Sequence, residues 1–315
     1  MEFYGTLGPA CASAEVLSRM LDAGMTGARL NLSHMGLSEA EPWLEALFNA
    51  GRSRGLRPEL LIDTQGPELR TGPLERPLCL AEGETLELGA GGLRLPERLI
   101  ELLEPGMRLL LDDGAMLLEV TAPRRARVLR GGTLGSRKGL TVEGLEYEAP
   151  PLTPRDCENL RAAREFGVTA VMQSFTRSAR DIAAVRSALG DAGIRVFAKV
   201  ESREGVEAMP ELLPASDMIV IARGDLGAAF GIYALPPLQK RLAAACRAAG
   251  APFMVVTQLL YSMQQNPVPT RAEVSDIYNA VLDGAAALML TNETAAGKYP
   301  AEAMRALVLA AGADS

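Results

Sequence analysis

Two alternating patterns in the sequence predict an α/β fold, a (β/α)8 TIM barrel. Short apolar runs rich in β-branched residues alternate with longer amphipathic runs, and nearly every apolar run ends in polar or ionisable residues. One segment, from about Pro67 to about Tyr147, loses the helical period and predicts a small inserted β-barrel domain after the third strand. The 315 residues are enough for a barrel of typically about 250 residues that carries such an insertion.

Eight apolar runs are the candidate strands of the barrel. In chain order they are Phe3–Leu7, Ala28–Leu32, Leu60–Asp63, Ala170–Phe175, Val196–Val200, Met218–Ala222, Phe253–Thr257 and Ala287–Leu290. The amphipathic runs predict helices over Ala14–Ala23, Glu39–Arg54, Arg155–Phe166, Ala179–Leu189, Leu238–Ala249 and Ala301–Ala311. Three of these helices follow a residue suited to an N-cap, namely Ser13, Ser38 and Thr153.

A doubly wound open sheet is the competing architecture for strands that alternate with helices. The closed barrel is favoured by the polar residues at the strand ends, which are Asn31, Ser33, Asp63, Thr64, Ser174, Lys199, Glu201, Arg223, Asp225, Thr257 and Glu293. In a barrel these ends converge on one face. In an open sheet they lie along an edge, and only those near a switch point meet.

The inserted segment consists of short apolar runs separated by Gly, Pro and Asp, including Thr85–Leu88, Leu109–Leu111 and Leu117–Val120. The sequence therefore predicts a catalytic barrel formed by residues 1–66 and 148–315 and an inserted β-rich domain formed by residues 67–147. Both connections are expected at the C-terminal face of the barrel, where an insertion can act as a lid.

The composition is that of a globular protein, with 48% hydrophobic and 23% charged residues. A net charge of −7 argues against a nucleic-acid partner, although basic residues cluster at 124–130 and at Arg137 and Lys138. Four cysteines without a CxxC pair, together with a single histidine, argue against a Cys/His zinc site. The N-terminus lacks a signal-peptide pattern and no apolar stretch approaches the ~20 residues that span a bilayer, so we expect a cytoplasmic protein without membrane contact.

Lys199-Val200-Glu201 ends the fifth candidate strand. Side chains two residues apart point to the same side of a strand, so this cation and this carboxylate face one cavity. On its own, the pattern is more typical of a structural salt bridge than of a catalytic pair.

Gly224 and Asp225 lie in the segment Ala222–Gly227, which follows the next strand. Glycines let a backbone approach a ligand closely, and free amides at a following helical turn can hold a carboxylate or a phosphate. Asp225 and Glu201, at neighbouring strand ends, suit Mg²⁺, which typically takes one or two protein carboxylates. A simple turn is the alternative interpretation.

Oxygen-bearing side chains end the second and third strands. Asn31, Ser33, Asp63 and Thr64 form a set that could hold a monovalent cation. Ordinary hydrogen bonding at strand ends is the alternative, and without further observations it is the more common situation.

A series of segments, in order from the first strand to the last, resembles the pyruvate kinase family. The segments are Thr6–Pro9, Ala28–His34, Asp63–Gly72, Asp112–Gly114, Gly131–Gly139, Ser174–Arg177, Lys199–Glu201, Ala222–Gly227, Thr257–Gln258 and Pro269–Glu273. Each segment alone is modest evidence, but many in series at similar spacing are strong evidence.

The resemblance implies chemical roles for individual residues. Lys199 resembles the catalytic lysine that neutralises charge on the transferring phosphoryl group and on the enolate, and Arg29 resembles the arginine that contacts the phosphoryl group. Thr257 resembles the residue near the face where the enolate is protonated. The implied substrate-binding residues are Ser174, Gly224, Asp225 and Thr257.

The resemblance also implies cofactors and a nucleotide site. Glu201 and Asp225 resemble the ligands of the divalent metal, Mg²⁺ or Mn²⁺, that bridges phosphoenolpyruvate. The implied K⁺ ligands are Asn31, Ser33, Asp63 and Thr64, and a glutamate at the position of Glu68 goes with K⁺ dependence in the family. The implied nucleotide-binding residues are Arg29, His34, Arg70 and Lys138.

The implied reaction is phosphoryl transfer from phosphoenolpyruvate to ADP, which gives pyruvate and ATP in glycolysis. The resemblance allows a homodimer through the barrel. Metal-dependent lyase, aldolase or decarboxylase chemistry on a pyruvate enolate is one alternative, and a catalytically silent metabolite-binding paralogue is another. The resemblance stops just after the eighth barrel helix, so the family's usual C-terminal domain is expected to be absent. Within the barrel, Met35, Gln65 and Ala296 depart from the family's usual residues.

Overall fold

Eight parallel strands form a closed barrel in the computed structural model, which describes residues 1–112, 114–143, 145, 149–190 and 193–312. The strands are Glu2–Thr6, Gly27–Asn31, Glu59–Asp63, Ala170–Gln173, Arg195–Val200, Met218–Ala222, Phe253–Val256 and Ala287–Leu290. Each strand pairs with the next one along the chain, and the eighth pairs with the first in a register that places Glu2 beside Ala287. The predicted barrel is confirmed, and the open sheet is excluded because the ring of strands has no free edge.

Helices follow the strands and bury one side against them. In the barrel they are Ala14–Asp22, Leu37–Arg52, Pro154–Ala162, Ala179–Leu189, Arg203–Glu207, Met209–Ala215, Arg223–Phe230, Leu235–Ala249, Arg271–Leu282, Asn292–Ala295 and Pro300–Ala310, with a 3-10 turn at Tyr261–Gln264. Fully buried leucines such as Leu17 and Leu47 pack with the outward side chains of the strands in one large core. In the part of the chain that the structure describes, no helix is both long enough and apolar enough to cross a bilayer.

The helix starts test the predicted N-caps. The side chains of Ser13 and Thr153 accept hydrogen bonds from backbone amides in their first turns, as predicted. The prediction for Ser38 is wrong, because the helix begins one residue before it and Gly36 is the N-cap residue. The Glu39 carboxylate accepts a hydrogen bond from the Gly36 amide at 3.1 Å, so this helix start is satisfied by a side chain from inside its first turn.

The barrel interior is filled by side chains that alternate with those of the outer core. Phe3 packs outward with the helices, whereas its neighbour Tyr4 points inward. The inward-facing residues are Tyr4, Leu61, Ala170, Met172, Phe197, Met218, Val220, Ala222, Met254, Val256, Ala287 and Met289. Among the described residues, the interior of the barrel is therefore a packed core.

The N-terminal end of the barrel is closed by a charged cluster around Tyr4. The Tyr4 hydroxyl lies 2.8 Å from Glu2 Oε2 and also within hydrogen-bond distance of Glu59. Arg195 forms ion pairs with both glutamates, one of them at 3.2 Å to Glu2 Oε1. The guanidinium carbon of Arg195 also lies 5.0 Å from the centre of the Phe197 ring. These contacts satisfy the polar groups at this end among themselves.

Residues 67–150 form a second compact unit, separate from the unit formed by residues 1–66 and 151–315. Its five-stranded antiparallel sheet runs, in spatial order, Leu140–Val142, Arg108–Leu111, Met116–Ala122, Arg125–Arg130 and Thr85–Glu87. A two-stranded ladder joins Leu78–Leu80 to Gly132–Leu134, and a short helix spans Glu97–Ile100. Closure of this unit into a small barrel stays a prediction, and so does its predicted boundary at Tyr147. Tyr147 lies outside the described residues. Asp113, in the Asp112–Gly114 segment, also lies outside them.

Candidate active site

A buried lysine and two carboxylates meet at the C-terminal ends of the third and fifth barrel strands. Lys199 Nζ lies 3.1 Å from Asp63 Oδ2 and 3.0 Å from Glu201 Oε1. Only 9% of Lys199, 1% of Asp63 and 3% of Glu201 is exposed. Charges buried to this degree are stable only when they are paired, so the three groups form one ionic unit.

The charges of this unit determine its protonation. Burial disfavours the ammonium form of Lys199, but the carboxylates of Asp63 and Glu201, and then that of Asp225, outweigh it and raise the lysine pKa above its ordinary range. Burial likewise acts to raise the pKa of Asp63, but the charges of Lys199 and Arg29 outweigh it, and the pKa is lowered. The lysine is therefore an ammonium and the aspartate a carboxylate at neutral pH.

Arg29 and Ser174 extend the unit on either side of Asp63. Arg29 Nε donates a hydrogen bond to Asp63 Oδ2 at 2.9 Å, and its Nη1 donates to Thr6 Oγ1 at 3.2 Å. Ser174 Oγ lies 2.9 Å from Asp63 Oδ1, 2.7 Å from the Thr64 carbonyl oxygen and 3.2 Å from Lys199 Nζ. Two cations and a hydroxyl thus share one buried aspartate.

The backbone amide of Phe175 orients Glu201, a contact that the sequence pattern does not predict. This amide donates a hydrogen bond to Glu201 Oε2 at 2.7 Å, and Phe175 has a left-handed φ of 47°. The strand predicted to reach Phe175 ends at Gln173, and the left-handed conformation of Phe175 is not that of a regular strand. The sequence does contain an indication of this contact. Phe175 and Glu201 follow the fourth and fifth strands, which are neighbours, so a backbone amide after one strand can reach a carboxylate after the other.

Asp225 lies in the first turn of the helix Arg223–Phe230, so this segment is a helix start and not a simple turn. Its charge contributes to the raised pKa of Lys199. A Cβ added at Gly224 would meet Thr257 Cγ2 at 3.1 Å, so the glycine permits close packing between the ends of the sixth and seventh strands.

Thr257 follows the seventh strand in an unusual backbone conformation. Its φ is 76°, and the φ of Gln258 is 56°, so the strand predicted to include Thr257 ends at Val256. Arg223 Nη2 donates a hydrogen bond to the Thr257 carbonyl at 2.8 Å, and its Nη1 contacts Asp276 Oδ2 at 2.6 Å. A β-branched residue in the left-handed region is strained and requires such support. The sequence pattern predicts Arg223 at the strand end but does not indicate this supporting role.

Two carboxylates are available for a divalent cation. Glu201 and Asp225 lie at the ends of adjacent strands, and this donor set fits Mg²⁺ or Mn²⁺ with the remaining positions filled by water and substrate oxygens. Among residues 1–112, 114–143, 145, 149–190 and 193–312, no group of three or more His, Cys, Asp or Glu side chains is arranged to hold a metal by itself.

The predicted K⁺ ligands lie on two paired strands. Asn31 is beside Asp63 in the register of the second and third strands, and Asn31 Oδ1 accepts a hydrogen bond from the Ser33 amide at 3.1 Å. Thr64 Oγ1 donates to Gln173 Oε1 at 3.2 Å. The four residues share one edge of the barrel, and part of their hydrogen-bonding capacity is used within the protein.

The predicted nucleotide-binding residues are divided between the two units. His34 is exposed on the turn after the second strand. Arg70 and Lys138 belong to residues 67–150, where Arg70 Nε contacts Glu68 Oε2 at 2.7 Å and Lys138 Nζ contacts Asp112 Oδ1 at 2.9 Å. Their role in nucleotide binding stays a prediction.

Comparison with known proteins gives matches over nearly the whole chain. The family model described as "Pyruvate kinase, barrel domain" matches residues 2–304. A pyruvate kinase from Aeropyrum pernix is 40% identical over 315 residues, which cover 97% of this chain and 69% of that protein. Pyruvate kinases from Geobacillus stearothermophilus and from Homo sapiens (PKLR) are each 38% identical, over 96% and 95% of this chain. The chain spans only 54% and 57% of the length of these last two relatives.

Proposed function

The chain belongs to the pyruvate kinase family, and from that premise we propose that it transfers the phosphoryl group of phosphoenolpyruvate to ADP, giving pyruvate and ATP. The observation that carries the proposal is the buried ionic unit of Lys199, Asp63 and Glu201 at the C-terminal end of the barrel. Phosphoryl transfer depends on positioning and countercharge more than on covalent chemistry by the protein, and this unit supplies both.

Lys199 is the residue that we assign to the transferring group. A lysine ammonium has three N–H donors, and the contacts with Asp63, Glu201 and Ser174 match that number. A phosphoryl or enolate oxygen that binds Lys199 therefore takes the place of one of these partners. Arg29, which is held by Asp63, supplies a second cation for the phosphoryl oxygens and for the nucleotide.

Glu201 and Asp225 would hold Mg²⁺ or Mn²⁺. Asn31, Ser33, Asp63 and Thr64 would hold K⁺. When bound, such cations supply countercharge to the oxygens of the phosphoryl group and of the enolate. The contribution of this chain is orientation, since the Phe175 amide fixes one oxygen of Glu201.

The substrate is bound between three strand ends in this proposal. Ser174, Gly224, Asp225 and Thr257 contact it, and the first amides of the helix Arg223–Phe230 are suited to a carboxylate. Thr257 lies on the face where the enolate is protonated, and Arg223 keeps its backbone in place.

ADP is bound by Arg29, His34, Arg70 and Lys138, with residues 67–150 acting as a lid. The same proposal places the protein in the cytoplasm and in glycolysis, and it includes a homodimer through the barrel. Membership of the family is the support for the location, the pathway and the homodimer.

A reconstitution assay tests the proposed reaction. Purified protein is incubated with phosphoenolpyruvate, ADP, Mg²⁺ and K⁺, each component is omitted in turn, and pyruvate and ATP are both measured. We expect equal amounts of pyruvate and ATP, and neither product without ADP or without the divalent cation. Pyruvate that forms without ADP indicates lyase-type chemistry, and binding of phosphoenolpyruvate without turnover indicates a silent paralogue; either result contradicts the proposal.

A further inference from the structure

One buried carboxylate lies between the two points where the chain crosses out of and back into the barrel unit. The chain leaves this unit after Gly66 and re-enters it at Pro151. Asp156 Oδ1 accepts a hydrogen bond from the Gln65 amide at 2.9 Å, and Asp156 Oδ2 accepts one from the Gly66 amide at 3.1 Å. The same Oδ2 accepts from the Thr153 amide at 2.9 Å. A single side chain thus joins the outgoing and the returning segments.

The contacts of Asp156 exceed what helix capping requires. Asp156 is the third residue of the helix Pro154–Ala162. Its carboxylate accepts from the Thr153 amide and its own amide donates to Thr153 Oγ1, which is an ordinary capping box. The bonds to Gln65 and Gly66 satisfy amides 91 and 90 residues away in the sequence. Asp156 is 1% exposed, so no water replaces these bonds if the carboxylate is removed.

Gln173 makes a second connection between the same two crossings. This fully buried side chain donates from Nε2 to the Pro151 carbonyl at 2.6 Å, and its Oε1 accepts from Thr64 Oγ1 at 3.2 Å. Gly66 has a φ of 63°, and an added Cβ would lie 2.8 Å from the Ser174 carbonyl. The outgoing crossing is therefore packed directly against the strand end that carries Ser174.

Prolines flank the two crossing segments that Asp156 holds together. Pro67 follows Gly66 directly, and Pro150 and Pro151 precede the returning helix. Proline has a fixed φ and no amide hydrogen, so these positions cannot compete for the oxygens of Asp156. The amides at the crossings that donate to Asp156 are those of Gln65, Gly66 and Thr153.

We propose that Asp156 is a positioning residue that fixes the root of the inserted unit, meaning Gln65–Gly66 and Pro151–Thr153. Residues 67–150 are joined to the barrel covalently only through this root. The inference rests on the proposed function, because Arg70 and Lys138 of the inserted unit are the assigned nucleotide contacts. If the root loses its fixed geometry, the affinity for ADP is expected to fall. The affinity for phosphoenolpyruvate is expected to change much less, because barrel residues bind that substrate.

Hydrogen–deuterium exchange tests the root without any need for turnover. Asp156→Asn keeps the size of the side chain but replaces one acceptor oxygen with an amino group, which cannot accept a hydrogen bond. We expect exchange at Gln65, Gly66 and Thr153 to become about tenfold faster, the factor that corresponds to one weakened bond to a charged group. Unchanged exchange at Gln65 and Gly66 overturns the proposal.

Asp181→Asn is the matched control. Asp181 is also the third residue of its helix, Ala179–Leu189, and is 6% exposed. It accepts a hydrogen bond from the Arg177 amide at 2.8 Å, in its own helix start and away from both crossings. We expect Asp181→Asn to loosen that turn alone, and equal acceleration at Gln65 and Gly66 in both variants overturns the specific role of Asp156.

Steady-state kinetics provide the functional readout. We expect Asp156→Asn to raise the KM for ADP by about tenfold, with a much smaller change in the KM for phosphoenolpyruvate. Thr153→Val, which removes only the capping hydroxyl and leaves the backbone amides, is expected to keep both KM values. Equal shifts in both KM values for Asp156→Asn, or a shift of the ADP value in Asp181→Asn, overturn the proposal.

Two further measures keep the outcome decisive. If Asp156→Asn does not fold, Asp156→Glu keeps a carboxylate but displaces it by one methylene, and the same faster exchange at the root is expected from it. Wild-type exchange at Gln65 and Gly66 in that variant overturns the proposal. If the wild-type protein forms no pyruvate, the proposed function fails, whereas the exchange experiment still decides whether Asp156 holds the root.

Discussion

The two ends of the barrel carry the same pair of charges on the same two strands. The third strand has Glu59 at its start and Asp63 at its end, and the fifth strand has Arg195 at its start and Lys199 at its end. At both ends the acid and the base form an ion pair. Ion pairing by itself therefore does not distinguish a functional end from a structural one.

Burial and backbone conformation do distinguish them. The side chains of Arg195 and Glu59 are 33% and 31% exposed, whereas those of Lys199 and Asp63 are 11% and 1% exposed. Among the described residues of the barrel unit, the non-glycine residues with left-handed φ are Phe175, Thr257 and Gln258, and all follow C-terminal strand ends. Buried charge and backbone strain are both unfavourable for stability, and their coincidence at one end indicates a site retained for chemistry.

The largest expected effect comes from removing the lysine at the buried end. Lys199→Met is expected to abolish measurable phosphoryl transfer, because one well-placed cation typically contributes a few kcal/mol of transition-state stabilisation. The coupled pyruvate assay measures the loss, and circular dichroism shows that the fold is retained. Arg195→Met is the control at the other end of the same strand, and its turnover is expected to stay close to wild type. Unchanged turnover in Lys199→Met, or equal losses in the two variants, would refute the comparison.

The next effect is on stability, and it differs between the acids of the third strand. Asp63→Asn leaves two buried cations short of a partner and is expected to lower the free energy of unfolding by about 3–5 kcal/mol. Glu59→Gln weakens a partly exposed pair and is expected to lower it by about 1 kcal/mol or less. Urea unfolding at neutral pH measures both values.

The pH dependence sharpens this stability prediction. The pKa of Asp63 is lower in the folded protein than in the unfolded chain. Its stabilisation is therefore complete above the unfolded pKa of about 3.9 and is lost as the pH falls through the folded pKa. The difference in stability between wild type and Asp63→Asn is expected to shrink below about pH 4. A constant difference from neutral pH into that acidic range would show that Asp63 does not carry the ionic stabilisation.

The smallest effect concerns the N-terminal end in alkali. Burial, followed by hydrogen bonding to Glu59, raises the pKa of Tyr4 far above its ordinary value. A raised pKa stabilises the fold below the unfolded pKa of about 10 and loses that stabilisation as the pH rises further, by at most about 1.4 kcal/mol per pH unit. Wild type is thus expected to lose stability more steeply than Tyr4→Phe above about pH 10, with turnover at neutral pH unchanged in the variant. Parallel stability curves would argue that Tyr4 is free to ionise.

The barrel could be predicted from the sequence because its strands are buried on both faces. Runs such as Met218–Ala222 and Ala287–Leu290 are uniformly apolar, and their bounds agree with the structure. The helix Met209–Ala215 was not predicted, because Pro210 and Pro214 interrupt its pattern. The helix Arg271–Leu282 was also missed, since its outward face carries Val274, Tyr278 and Leu282 and obscures the amphipathic period.

The contacts among the predicted site residues could not be read from the sequence. Asp63 was assigned as a K⁺ ligand, and its bond to Lys199 spans 136 residues, so no local pattern reveals it. The strand ends at Phe175 and Thr257 were placed too far along the chain, because apolar and β-branched residues normally continue a strand. The roles of Arg70 and Lys138 stay predictions, because they belong to the other unit.

The closure of the barrel has a consequence for how the chain folds. The strand Glu2–Thr6 pairs on one side with Gly27–Asn31 and on the other with Ala287–Leu290, which lies almost the whole chain away. During synthesis the first strand therefore keeps an unpaired edge until the last strand emerges, and such an edge is a place where another chain can add. Contacts of this sequence separation make folding slow. We expect ring closure, and not assembly of the ionic unit, to be the late step in folding.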